Sequence, residues 1–125
     1  MIFSQNDFSI DAVLGKPLMA HLSTVANGAP RDSPVWFLWE DSFLWLFGTV
    51  IDSFILRLVH EPRCAVGIVD FDLQKGILQH VGMRGTAKIH SVDQNRLRRF
   101  VSKYLGKDSD RWNKWFMEGA FPFSG

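Results

Sequence analysis

Hydrophobic positions in this chain fall into short runs bounded by Gly, Pro, Asn and Asp, and their spacing predicts strands first and helices last. Residues 9–14 suit one short helix, with Gly15 as its stop and Pro17 blocking continuation. Residues 18–25 read as a strand. Asn27-Gly28 follows, a two-residue turn in which both positions tolerate positive φ. The return strand is residues 33–39, and the polar Glu40-Asp41-Ser42 leads into a third strand at 43–49, completing an antiparallel meander. Val35, Phe37 and Trp39 alternate with the equally apolar Trp36 and Leu38, so this sheet is expected to be covered on both faces.

Asp52 is placed to cap a helix through Ile55, Leu56, Leu58 and Val59 that ends before Pro62. Residues 64–69 read as a buried strand, 70–76 as a loop and 77–90 as a long β stretch with a bulge or close approach at Gly82 and Gly85. Ser91 with Gln94 makes a capping box for a helix whose face is Leu97, Phe100, Val101, Tyr104 and Leu105, stopped by Gly106. A second helix is expected over residues 108–118, carrying Trp112, Trp115 and Phe116. The fold class is mainly β with α decoration: a small antiparallel β-barrel with short helices, one domain over residues 1–125, and a homodimer that buries the second apolar face.

Composition narrows the function. Fourteen basic against thirteen acidic residues leave a charge of +1, too little for a nucleic-acid or anionic-membrane footprint. No apolar run is long enough to span a bilayer and no signal peptide opens the chain, so a soluble cytoplasmic protein is expected. One cysteine, Cys64, excludes an internal disulfide framework and a multi-thiolate metal site. No Walker loop, dinucleotide glycine fingerprint or zinc helix is present, and the four histidines have no ligand spacing. Any chemistry here would have to come from a cofactor. The 14% aromatic content, with eleven Phe and five Trp, suggests a dense core or apolar surface kept for a flat ligand. The cluster Arg96, Arg98, Arg99 and Lys103 reads as a solvated helix face.

In order and spacing, several of these segments resemble the flavin-binding split-barrel family that includes pyridoxamine 5′-phosphate oxidase. They are His21-Leu22-Ser23-Thr24-Val25 before Asn27-Gly28, then Ser33-Pro34-Val35-Trp36-Phe37, then Leu44-Trp45-Leu46-Phe47-Gly48-Thr49. Glu61-Pro62-Arg63 before Cys64-Ala65-Val66, and Val81-Gly82-Met83-Arg84-Gly85-Thr86-Ala87, complete the match. The resemblance implies a split barrel and a homodimer with FMN in the groove between subunits. It implies an oxidoreductase acting on a small molecule, with a nicotinamide as reductant. Ser33, Pro34, Val35 and Trp36 would border the flavin ring. Phe47, Gly48, Thr49, Asp52, Ser53 and Phe54 would hold the ribityl and phosphate groups, and His80 would supply a polar contact. Trp112 or Trp115 is the candidate for covering the ring.

Two departures matter. Phe54 stands where many relatives carry a phosphate-binding lysine or arginine, and Asp52 adds a negative charge there, so Arg57 or Arg84 is expected to compensate. The chain also lacks the C-terminal substrate-binding segment of true pyridoxamine phosphate oxidases, and vitamin B6 oxidation is not expected. A deazaflavin or haem in the same fold, with His21, His60 or His80 as haem ligands, is one alternative. A cofactor-free binding or regulatory module is the other.

Overall fold

The computed structural model describes residues 9–49 and 51–106. The elements are α1 (Ile10–Leu14), β1 (Ala20–Ala26), β2 (Ala29–Val35), β3 (Leu38–Glu40), β4 (Phe43–Trp45), α2 (Ser53–His60), β5 (Arg63–Asp72), β6 (Ile77–Thr86) and α3 (Gln94–Leu105). β2, β1, β5 and β6 form one antiparallel sheet in that order, and β3 and β4 form a separate hairpin.

Alternation sorts the large sheet into two faces. Ala20, Leu22 and Thr24 of β1, Val66, Ile68 and Asp70 of β5 and Val81 of β6 point inward and are buried. They form one core with Val13, Leu14, Phe37 and Leu58, so α1 and α2 cover the inward face. Asn27 and Gly28 take φ of 52° and 78°, both positive, as the turn chemistry requires, and the turn sets the register from Ala26↔Ala29 to Ala20↔Val35.

Several expectations are corrected. The meander stops at two strands: β2 pairs with β1 alone, and the next strands bond to each other. The cause lies in the third dimension. The N–H of Phe37 donates to the Tyr104 hydroxyl at 2.9 Å, and its carbonyl accepts from Lys103 Nζ at 2.9 Å. Both backbone groups that would extend β2 are thus spent on α3. The third strand ends at Trp45 rather than 49, and the first begins at Ala20 rather than 18. β5 runs on to Asp72, where Oδ1 accepts from Lys75 N–H and tightens the turn before β6. β6 ends at Thr86, and its pairing with β5 continues from Arg63↔Thr86 to Asp72↔Ile77 without a bulge; Gly82 lies directly opposite Gly67. The cap of α3 is Asp93, whose carboxylate accepts from the N–H groups of Asn95 and Arg96, not Ser91. The helix expected at 108–118, with Trp112 and Trp115, lies outside the described residues.

The basic residues of α3 are no simple solvated face. Arg96 and Arg99 both bond Glu40, at 3.0 Å and 2.7 Å, and the Arg96 guanidinium lies 3.7 Å from the centroid of the Trp45 ring. Together they fasten the β3–β4 hairpin to α3.

Candidate functional site

Of the residues singled out in the sequence, the structure brings together two groups and separates a third. The first group lies where α2 crosses β1 and β2. Arg57 donates from Nε to Thr24 Oγ1 at 2.7 Å and from Nη2 to Ser33 Oγ at 2.8 Å. Thr24 is fully buried, and Arg57 and Ser33 are half-buried. No carboxylate among the described residues pairs with Arg57, so a partly desolvated positive charge is held by two neutral hydroxyls. Thr24 was not singled out in the sequence. The available signal was its place in the inward series Ala20, Leu22, Thr24, where a hydroxyl must find a partner.

The second group is the loop from Phe47 into α2. Gly48 is a point of close approach: a Cβ there would lie 2.9 Å from Asp52 Oδ2, 2.9 Å from Phe54 Cζ and 3.0 Å from Ile55 Cγ1. Asp52 is the N-cap by position, but its carboxylate caps no helical N–H. It turns back instead and accepts from the Thr49 N–H at 2.6 Å. Among the described residues the buried Thr49 hydroxyl oxygen has no hydrogen-bond partner. Ser53 is exposed at the start of α2, and Phe54 packs against the core. In the loop expected to hold the ribityl and phosphate groups, the Thr49 amide is therefore occupied by the chain's own carboxylate.

Trp36 and Phe47 belong to an aromatic wall built with α3. Trp36 stacks on Tyr104 with centroids 4.3 Å apart, and Phe47 meets Phe100 at 4.6 Å. The Tyr104 hydroxyl donates to Leu18 O at 2.8 Å, and burial pushes its pKa up to about 12. Lys103 donates to the carbonyls of Leu14 and Phe37, and burial pulls its pKa down to about 8. Neither residue carries a sequence motif; both were read only as parts of a helix face.

The edge of β2 is the remaining feature. Because Ala26 and Ala29 close a two-residue turn, the backbone groups of residues 29, 31, 33 and 35 face β1, and those of 30, 32 and 34 face away. Pro30 and Pro34 have no N–H to offer. The open edge thus presents three carbonyls and, between the prolines, the single N–H of Asp32. Ser33 and Val35 direct their backbone toward β1 and their side chains inward; the Pro34 ring faces outward.

His80 and Arg84 are on the outward face of β6, across the sheet from the side that carries Ser33 and Arg57. The His80 ring leans over the glycine pair, its Nε2 3.6 Å from where a Gly67 Cβ would stand. His21 lies beside Asp32, Nδ1 to Oδ2 3.3 Å. Among the described residues no group of three His, Cys, Asp or Glu side chains is placed to hold a metal ion, and no helix is long and apolar enough to cross a membrane.

This architecture, a mainly β antiparallel split barrel with short helices, has counterparts among solved structures. An F420 reductase superposes with a TM-score of 0.66 at 22% identity, over 83% of this chain and 86% of that one. The conserved hypothetical protein Rv2991 from Mycobacterium tuberculosis gives 0.68 at 22% identity, over 88% and 69%. The flavocytochrome Anf3 from Azotobacter vinelandii gives 0.64 at 19% identity, over 90% of this chain and 56% of that one. No family model and no curated protein sequence matches the chain. At these identities the likeness concerns the fold, and it is the fold expected from the sequence.

Proposed function

We infer that this protein binds a flavin-type cofactor, FMN, at the open edge of β2 and acts as an oxidoreductase on a small molecule, with a nicotinamide as reductant. The observation that carries the reading is that edge. The N–H and C=O of Asp32 point outward side by side and suit the C=O and N–H of an imide such as the flavin ring carries. The aromatic wall, Trp36 on Tyr104 and Phe47 on Phe100, begins at the next residue after β2 and makes this end of the strand apolar. When bound, a flavin supplies hydride and electron transfer. The chain's own residues orient it through the β2 backbone and balance its charge through Arg57. The Thr49–Asp52 loop does not fit a phosphate as it stands, because a carboxylate already holds its amide.

A homodimer is part of the reading. The outward face of the sheet exposes Val25, Val69, Phe71 and Leu78, with the Gly67–Gly82 pair among them covered only by the His80 ring. His80 and Arg84 share that face, opposite Ser33 and Arg57, so a second copy would be needed to gather all of them round one ligand. The half-buried Cys64 thiol, its pKa raised by burial, suits the reducing cytoplasm.

A deazaflavin is the second reading, favoured by the superposition on an F420 reductase over most of both chains. One experiment separates the readings: titration of the purified protein with FMN and, in parallel, a deazaflavin, following fluorescence and the visible band, with mass in solution alongside. Saturation at one FMN per chain in a particle of twice 14.3 kDa is expected. Saturation by the deazaflavin alone selects the second reading. Binding of neither at high-micromolar concentration, with the dimer intact, removes both and leaves a cofactor-free module.

A further inference from the structure

Among the described residues no carboxylate balances the guanidinium of Arg57. Burying a cation without a carboxylate is costly, and the two hydroxyls that hold it, Thr24 and Ser33, add direction but no charge. They are bonded to Nε and Nη2, leaving Nη1 and the second Nη2 hydrogen without a described partner. That is a fork ready for the two oxygens of an anion. Five residues earlier the opposite has happened: Asp52 has turned its carboxylate onto the Thr49 amide, and an anion at that loop would meet like charge. Ser53 lies one helical turn before Arg57 on the same side of α2 and extends the polar strip toward solvent.

We propose that Arg57, oriented by Thr24 and Ser33, is the seat for the terminal phosphate of the bound cofactor, and that the loop at Thr49–Asp52 is closed to it. This deepens the flavin reading and rests on it for the identity of the ligand. The consequence is discrimination by charge: a phosphorylated flavin is held at Arg57, whereas its unphosphorylated form gains only the ring contacts. Charge-assisted hydrogen bonds of this kind correspond to about a ten- to hundred-fold preference.

The test compares FMN with riboflavin on the wild-type protein and on Arg57→Gln and Arg57→Lys, by equilibrium dialysis. Circular dichroism melts of each variant run alongside. The expected result is a preference of the wild type for FMN by at least ten-fold, weakening with added salt. Arg57→Gln should lower FMN affinity to the riboflavin level while riboflavin binding stays within two-fold, and Arg57→Lys should restore part of the difference. Equal affinity for the two ligands on the wild type overturns the proposal and leaves the flavin reading standing, without needing any variant to fold. Equal loss of both ligands in a folded Arg57→Gln also overturns it, since Arg57 then only shapes the ring site. If neither flavin binds, the flavin reading fails by itself. Arg57 is then judged with inorganic phosphate: protection of the wild type but not of Arg57→Gln from thermal unfolding supports an anion seat, and no protection of the wild type ends it.

Discussion

The Trp36 ring lies flat on that of Tyr104, 4.3 Å between centroids and 5° between planes, while the Tyr104 hydroxyl bonds the backbone on either side. A single side chain of α3 thus supports the wall beyond β2 and ends the strand that leads to it. Tyr104→Phe keeps the stacking but leaves the Phe37 N–H without its acceptor. An unsatisfied half-buried donor costs about 1–3 kcal/mol. A fall of several degrees in melting temperature, with tryptophan emission little changed, is expected from Tyr104→Phe; Tyr104→Leu should shift the emission as well.

Alkaline stability should pass through a maximum. Lys103 titrates at about 8 in the folded chain against an ordinary 10.5, so the unfolded chain binds more protons between these values and stability rises with pH there. Tyr104 titrates at about 12 folded against 10, so from pH 10 upward the folded chain holds the extra proton and stability falls as pH rises. Urea midpoints should therefore climb from about pH 8 to about pH 10 and drop beyond. Lys103→Met should remove the climb and leave the drop.

Glu40 governs the acid side. Hydrogen bonds from Arg99 and Arg96 hold its carboxyl down at about 2 against an ordinary 4.5. Its contribution is complete above pH 4.5 and is lost as pH falls through 2. Glu40→Gln should cost about 1 kcal/mol at neutral pH and nothing below about pH 2, read from denaturation at both.

Gly48→Ala places a methyl group 2.9 Å from both Asp52 and Phe54. Overpacking of this kind costs about 1–3 kcal/mol. A lowered melting temperature together with weakened cofactor binding is the expected outcome, since the loop into α2 must open to admit the methyl.

Asp52→Asn keeps an oxygen that can accept from the Thr49 N–H and removes the negative charge. FMN affinity should rise a few-fold with riboflavin affinity unchanged and the melting temperature within a few degrees. Unchanged FMN affinity in the dialysis would mean that the phosphate never comes within range of this loop.

How legible this was follows from how far apart the partners are. Asn27-Gly28, the inward series of β1 and the face of α3 are written in neighbouring residues, and the structure repeats them. The end of β2 is written 67 residues away, in the Tyr104 hydroxyl that takes the Phe37 amide, and no local pattern announces it. Asp52 sits where a cap belongs, yet the nearer Thr49 N–H wins its carboxylate. For the site, Ser33 follows from the resemblance and Arg57 from the departure at Phe54 and Asp52; only the fold makes them a pair, 24 positions apart, and adds Thr24 between them.

The two prolines of β2 have a further effect. A bare strand edge is a template on which another chain can add a strand, and such edges seed fibres and swapped dimers. Here two of the three outward-pointing residues cannot donate, and the third, Asp32, brings a charge. The edge therefore resists the addition of a polypeptide strand while keeping three carbonyls and the Asp32 N–H turned outward. Pairing of two copies edge to edge along β2 is thereby disfavoured. Replacing Pro30 and Pro34 together would be expected to cost solubility before it costs folding.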